Sequence, residues 1–257
     1  MTDPLRTQVE RVLEAERLWS AYALADLEPP YARGAEWQAT DDAVVLTYRA
    51  FQPPVLFAAG NPAGVGQLFR RVPEGSYLFT LMGTHRALLD SRVLTSKETS
   101  MWRMALRAES FDPQRAGPAE PLTRVDLPAI LELFGDHADR PDAFDPSQLD
   151  DGVFFGIRDG AGLVAVAGTH VVSDGRSVAA VGNVFTYPDQ RGRGLARRVT
   201  AAVVRTLLER GLRTVVLNVA MHNDRAVRCY EHLGFWPFCG YYEGVGQLSP
   251  ASDSLQE

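Results

Sequence analysis

Residues 187–196 read Tyr-Pro-Asp-Gln-Arg-Gly-Arg-Gly-Leu-Ala, a glycine-punctuated turn between an apolar run, 178–186, and a strongly periodic stretch, 195–210. Gly192 and Gly194 let the main chain come close to a ligand. A helix that starts at Leu195 leaves orphan N–H donors and the positive end of its dipole at the same point. Arg191, Arg193, Arg197 and Arg198 add cationic charge around it. That combination suits a phosphate or pyrophosphate. A dinucleotide fingerprint would need a third glycine where Arg197 stands, so that reading fails. No phosphate loop ending in Gly-Lys-(Ser/Thr) and no Gly-x-Ser-x-Gly elbow occurs elsewhere in the chain.

Arg191-x-x-Gly194-x-Ala196 resembles the (Gln/Arg)-x-x-Gly-x-(Gly/Ala) acyl-CoA signature of the GNAT superfamily of N-acetyltransferases. Asn223-x-x-Ala226-x-x-x-Tyr230-x-x-x-Gly234-Phe235 is similar to the second motif of that family, in the family's order and spacing. The resemblance covers residues 122–242. Val184-Phe185-Thr186 and Tyr241-Tyr242-Glu243-Gly244 look most like the glycine N-acyltransferase-like branch.

The resemblance implies an α/β (α+β) fold: a mixed central sheet flanked by helices, with two parallel strands that splay apart. It implies acetyl-CoA, or another short acyl-CoA, as co-substrate and no metal. It also implies a primary amine as acceptor, attacked directly in a ternary complex. In this reading Arg191, Gly192, Arg193, Gly194, Leu195 and Ala196 bind the pyrophosphate. The amides of the pantetheine arm pair with the main chain of Phe185 and Thr186. Asn223 caps its helix and touches the same arm. Tyr230 matches the tyrosine that protonates the departing thiolate. A phenol titrates near about 10, close to a thiol, so that transfer is nearly balanced. Tyr230 equally fits an apolar helix face with its hydroxyl merely satisfied.

The base is less legible. Many relatives carry Glu on the strand before the loop, where this chain has Gly182, Asn183 and Val184. Asn183 as a water-positioning group, Glu243 and His170 are the candidates. The alternative is a non-catalytic acyl-CoA-binding or interaction module that keeps the loop and lacks a base.

The elements that must position these residues follow from periodicity and turn chemistry. Residues 178–186 and 215–219 read as strands, 195–210 as a helix stopped by Gly211, and Asn223 as the cap of a helix ended by Gly234. Upstream, 122–124 reads as a strand, Asp126 as a helix cap, 141–151 as irregular, and 153–158 and 163–172 as a hairpin. In the first half, 5–24 reads as one helix, and 44–51, 55–58, 77–81 and 101–106 as strands. Asn61-Pro62 opens a helix to about residue 70, and 84–90 is a short helix. A strand at 238–242 closes the chain. The expected domains are 1–112, an α/β unit with a degenerate GNAT-like order; a linker, 113–121, rich in proline; 122–245, the acetyltransferase domain; and a mobile tail, 246–257. Nothing in 72–89 reproduces the signature loop, so no CoA site is expected in the first half.

Composition bounds the rest. A 46% hydrophobic content fills a core, and no apolar run approaches a membrane span. The net charge of −6 argues against nucleic acid and mildly favours a cationic amine. Cys229 and Cys239 form no disulfide framework. His85, His137 and His232 have no metal-ligand spacing. A cytoplasmic protein with a small-molecule or peptide amine acceptor, off the membrane and compatible with a homodimer, is expected.

Overall fold

The computed structural model describes residues 1–89, 92–115, 117–160 and 162–249. In chain order its elements are α1 (Asp3–Ala15), α2 (Ala21–Ala25), β1 (Ala35–Ala39), β2 (Ala43–Tyr48), β3 (Val55–Gly60), α3 (Pro62–Phe69), β4 (Gly75–Met82), α4 (Gly83–Arg86), β5 (Val93–Leu106), β6 (Glu120–Pro121), α5 (Leu127–Phe134), α6 (Gln148–Asp151), β7 (Phe155–Asp159), β8 (Gly162–Ser173), β9 (Val178–Thr186), α7 (Leu195–Glu209), β10 (Thr214–Ala220), α8 (Asp224–Glu231) and β11 (Phe235–Leu248). Two compact units result: Met1–Arg103 with Ala220–His222 and Phe238–Glu257, and Met104–Val219 with Asn223–Pro237.

In the first unit β1, β2 and β3 pair antiparallel, and β3 pairs parallel with β4 across α3. The far part of β11 runs antiparallel to β4, from Tyr241 opposite Met82 to Leu248 opposite Gly75. Val45, Leu56, Leu68, Phe69, Phe79 and Leu81 form the core beneath α3. In the second unit β6, β7, β8 and β9 pair antiparallel, and β9 pairs parallel with β10 across α7. Its core under α5 and α6 gathers Leu122, Ile130, Phe134, Leu149, Phe154 and Phe185.

Apart from the two-residue β6 that precedes the helices of the second, each unit runs two helices, three antiparallel strands, a helix, a parallel strand and a short helix. The connection before the crossover helix differs. In the first unit it is Asn61 alone, whose side chain accepts the Ala63 N–H at 2.9 Å and so fills the helix start. In the second it is the long glycine loop. The topological counterpart of that loop is thus residues 60–62, not 72–89.

Several sequence expectations change. The helix at 5–24 is two helices: Glu16 leaves helical geometry, and its Oε2 accepts the Gly60 N–H at 3.2 Å. The short helix expected at 84–90 is instead α4 followed by a 3-10 turn, Ala87–Leu89, with residue 90 outside the described residues. Residues 122–124 are no strand. Thr123 and Asp126 form a reciprocal capping box around a 3-10 turn, and the two-residue strand lies at Glu120–Pro121. Asp126 makes no cap bond to α5. The irregular 141–151 contains α6. β1 has no strong apolar alternation and was not expected. β5 and β11 are each 14 residues long, because ladder partners extend strands through polar positions that periodicity alone rejects. Residues 250–257 of the expected tail lie outside the described residues.

Candidate active site

α7 is held by Leu195, Val199, Ala202, Val203 and Leu207, all buried. Gly211, at φ +81°, ends it. The Leu212 N–H bonds to Leu207 O, closing a Schellman turn. Its first residue is preceded by Gly194 at φ +74°, and no side chain caps the helix. Gly192 is also left-handed, at φ +81°, and a Cβ there would meet nothing within 4 Å. Among the described residues, the N–H groups of Gly192, Arg193, Gly194, Leu195 and Ala196 find no protein acceptor. The loop is an open cradle of donors at a positive dipole end, which fits a diphosphate.

The arginines around it have separate tasks. Arg191 Nε donates to Thr186 O at 3.0 Å, its Nη2 pairs with Asp139 at 2.7 Å, and its guanidinium lies 5.6 Å from the Phe185 ring centre. Its own N–H closes a turn on Pro188 O. Arg191 therefore braces the loop against the strand end instead of pointing a free charge outward. Arg193 donates to Gln190, and Arg198 to Pro118 O at 2.8 Å. Arg197 is exposed and has no ion pair among the described residues.

β9 loses one neighbour before it delivers the loop. Its register with β10 ends at Val181 opposite Leu217. On its other edge β9 stays paired with β8 to Thr186 opposite Ala165, with register shifts on either side of the Gly168–Gly182 pair. The two parallel strands thus part at Gly182, ahead of Phe185 and Thr186. Gly182 is required by close approach: a Cβ there would sit 2.2 Å from the His170 ring. Next to it Asn183 adopts φ +53° and is only 3% exposed. Its Nδ2 donates to Gln148 Oε1 at 2.8 Å, while its Oδ1 has no partner. Thr186 Oγ1 and Asn218 Oδ1 are also buried without partners.

On α8, Asn223 Oδ1 accepts the Ala226 N–H at 3.1 Å, an N-cap. Tyr230 is 8% exposed, with its ring 6.2 Å from Phe235. Burial, with a smaller contribution from Cys229, pushes its phenol well above the usual tyrosine range. The nearly balanced transfer expected from an ordinary phenol is therefore replaced by a group that holds its proton firmly. Burial also raises the Cys229 thiol, partly offset by Arg197. Glu243 belongs to the first unit, opposite Thr80 on β4, where its charge helps to raise the phenols of Tyr22 and Tyr241. Asn183, Phe185, Thr186, the loop, Asn223 and Tyr230 all belong to the second unit.

Sequence reasoning missed Gln148 and Asp139, which sit in the polar stretches after α5 and carry no motif. It also missed the left-handed Asn183. The signal for that lay in the residue type, because asparagine is the side chain that most readily enters this region.

An uncapped glycine loop at a helix start, beside two parallel strands that part, defines the N-acetyltransferase type of α/β fold. Residues 122–235 match the model of the acetyltransferase (GNAT) family. The mycothiol acetyltransferase of Nocardiopsis dassonvillei is 38% identical over 128 residues, which cover 42% of this chain and 38% of that protein. That of Rhodococcus jostii is 37% identical over 98 residues, covering 37% and 32%. The chain thus spans well under half the length of either relative. The fold is shared with a GCN5-related N-acetyltransferase from Kribbella flavida, at TM-score 0.59 and 18% identity over 89% of this chain and 95% of that one. A GCN5-related N-acetyltransferase-like protein from Streptococcus suis gives 0.58 and 17% over 95% and 99%. Among the described residues no helix is long and apolar enough to cross a membrane, and no cluster of three or more His, Cys, Asp or Glu could hold a metal.

Proposed function

We propose that the protein is an N-acyltransferase that moves an acetyl or other short acyl group from acyl-CoA to a primary amine. The observation that carries this is the parting of β9 from β10 after Val181 and Leu217, directly ahead of an uncapped helix start with two left-handed glycines. A diphosphate would accept hydrogen bonds from the N–H groups of residues 192–196, with Arg197 adding charge. Arg193 contributes main chain, while the Arg191 N–H is already held by Pro188 O and its side chain keeps the loop rigid. The pantetheine arm would lie in the gap beside Phe185 and Thr186 and near Asn223, which brings the thioester toward Asn183.

The amine nitrogen then attacks the thioester carbon, a C–N bond forms and the C–S bond breaks. The amine loses one proton and the departing sulfur gains one. A buried Tyr230 keeps its proton at neutral pH and can give it, or a strong hydrogen bond, to the developing thiolate. The names of the relatives favour a small-molecule acceptor, and two free thiols suit a cytoplasmic setting.

Calorimetric titration of acetyl-CoA into the protein and a Gly194→Asp variant tests this. Micromolar binding that the variant loses, followed by thiol release with an amine panel, is expected. No binding to the intact protein refutes the reading. Binding without transfer to any amine favours a non-catalytic acyl-CoA-binding module.

A further inference from the structure

The orphan oxygen of Asn183 can be oriented without ambiguity. Gln148 Oε1 lies 3.2 Å from the Asp145 N–H, and Gln148 Nε2 lies 3.1 Å from Ala143 O. A backbone N–H only donates and a backbone carbonyl only accepts, so these two contacts determine which end of the Gln148 amide is oxygen. That oxygen faces Asn183, which must therefore present its Nδ2, at 2.8 Å. Oδ1 is turned the other way, buried and without a donor. The residue also holds a left-handed backbone, at φ +53°. Both features cost free energy. A glycine would satisfy that backbone and leave no orphan acceptor. The protein supplies no donor to Oδ1.

We infer that Asn183 Oδ1 accepts an N–H of the attacking amine, and that Gln148 is the positioning residue that aims it. This rests on the acyltransferase reading above. Asn183 lies on β9 just past the last pair with β10, on the strand segment that leads to Phe185 and Thr186. An amide oxygen accepts a hydrogen bond but does not take the proton, so Asn183 orients the nucleophile without deprotonating it. A neutral primary amine has two N–H groups and one lone pair. With one N–H on Oδ1, the lone pair is free to meet the thioester carbon; an ammonium has none to offer. As the C–N bond forms and the C–S bond breaks, one amine proton leaves to solvent water. The departing sulfur accepts a hydrogen bond from the Tyr230 O–H and takes its proton from solvent.

The test uses Asn183→Gly, Gln148→Leu and Gln148→Glu, with acetyl-CoA as donor. Glycinamide and water serve as probe nucleophiles, water being read as thioester hydrolysis. Glycine suits φ +53°, so Asn183→Gly should keep its melting temperature and its acetyl-CoA affinity. Losing one hydrogen bond to the nucleophile should lower its kcat/KM by about tenfold. Gln148→Leu should lose a comparable factor. Gln148→Glu keeps acceptor oxygens for Asn183 Nδ2 and the Asp145 N–H, and should recover most of that loss. A purely structural role would tie the activity of both Gln148 variants to their melting temperature. Wild-type turnover of both probes by Asn183→Gly overturns the inference, as does equal behaviour of the two Gln148 variants. A wild-type protein that binds acetyl-CoA but passes the acyl group to neither probe also overturns it. Absence of acetyl-CoA binding instead overturns the wider reading.

Discussion

Gly192→Ala separates backbone strain from ligand contact. Gly192 has φ +81°, and an added Cβ would touch nothing within 4 Å in the protein. The only intrinsic penalty is an L-residue in the left-handed region, about 1–2 kcal/mol. In a chain of this size each kcal/mol lowers the melting temperature by about 2–4 °C, so a fall of about 2–8 °C is expected. Gly211 supplies a matched control in the same unit: it too has φ +81° and open space around its missing Cβ, but it ends α7 instead of opening it. Both variants should lose similar stability in differential scanning fluorimetry. Only Gly192→Ala should weaken acetyl-CoA. If the methyl displaces one N–H···phosphate bond, a charged hydrogen bond worth about 1.5–3 kcal/mol, affinity falls about 10- to 150-fold. Isothermal titration of both variants reads this directly. Equal acetyl-CoA affinity for Gly192→Ala and Gly211→Ala would show that no ligand occupies the space above the loop, and the phosphate cradle would be the wrong assignment.

Tyr230→Phe should lower kcat by about 100-fold with acetyl-CoA affinity unchanged, measured by thiol release and titration; unchanged turnover would sink its role as donor to the sulfur. His85 gives a pH prediction in the first unit. Burial holds its imidazole below the usual value, partly offset by backbone hydrogen bonds, including Nε2 with Gly60 O at 2.9 Å, and by Glu16. The neutral ring is the folded form. Its contribution is therefore fully present above the unfolded value near about 6.5 and is lost as pH falls through that value toward the lower folded one. His85→Gln should flatten the melting temperature between about pH 7 and 5 relative to wild type; parallel curves would refute the assignment.

Residues 178–186 and 195–209 were legible in the sequence almost to the residue, because a buried strand, a glycine loop and an amphipathic helix each write their identity locally. The same is true of the caps at Asn61 and Asn223 and the stops at Gly211 and Gly234, whose chemistry acts within a single turn. The chain by itself thus determined a phosphate-type loop opening a helix, the order of elements around it, and Tyr230 four residues after Ala226 on the next helix. Tertiary structure alone decided the rest. Whether β10 follows β9 past Val181 depends on strand register, which no residue encodes alone. That Arg191 turns inward depends on Asp139, 52 positions earlier in the chain. That Asn183 aims an unpartnered oxygen depends on Gln148, 35 positions away. These are choices among partners brought together only when the sheet and helices close. A local pattern states what a residue can do, and long-range packing states which group it does it to.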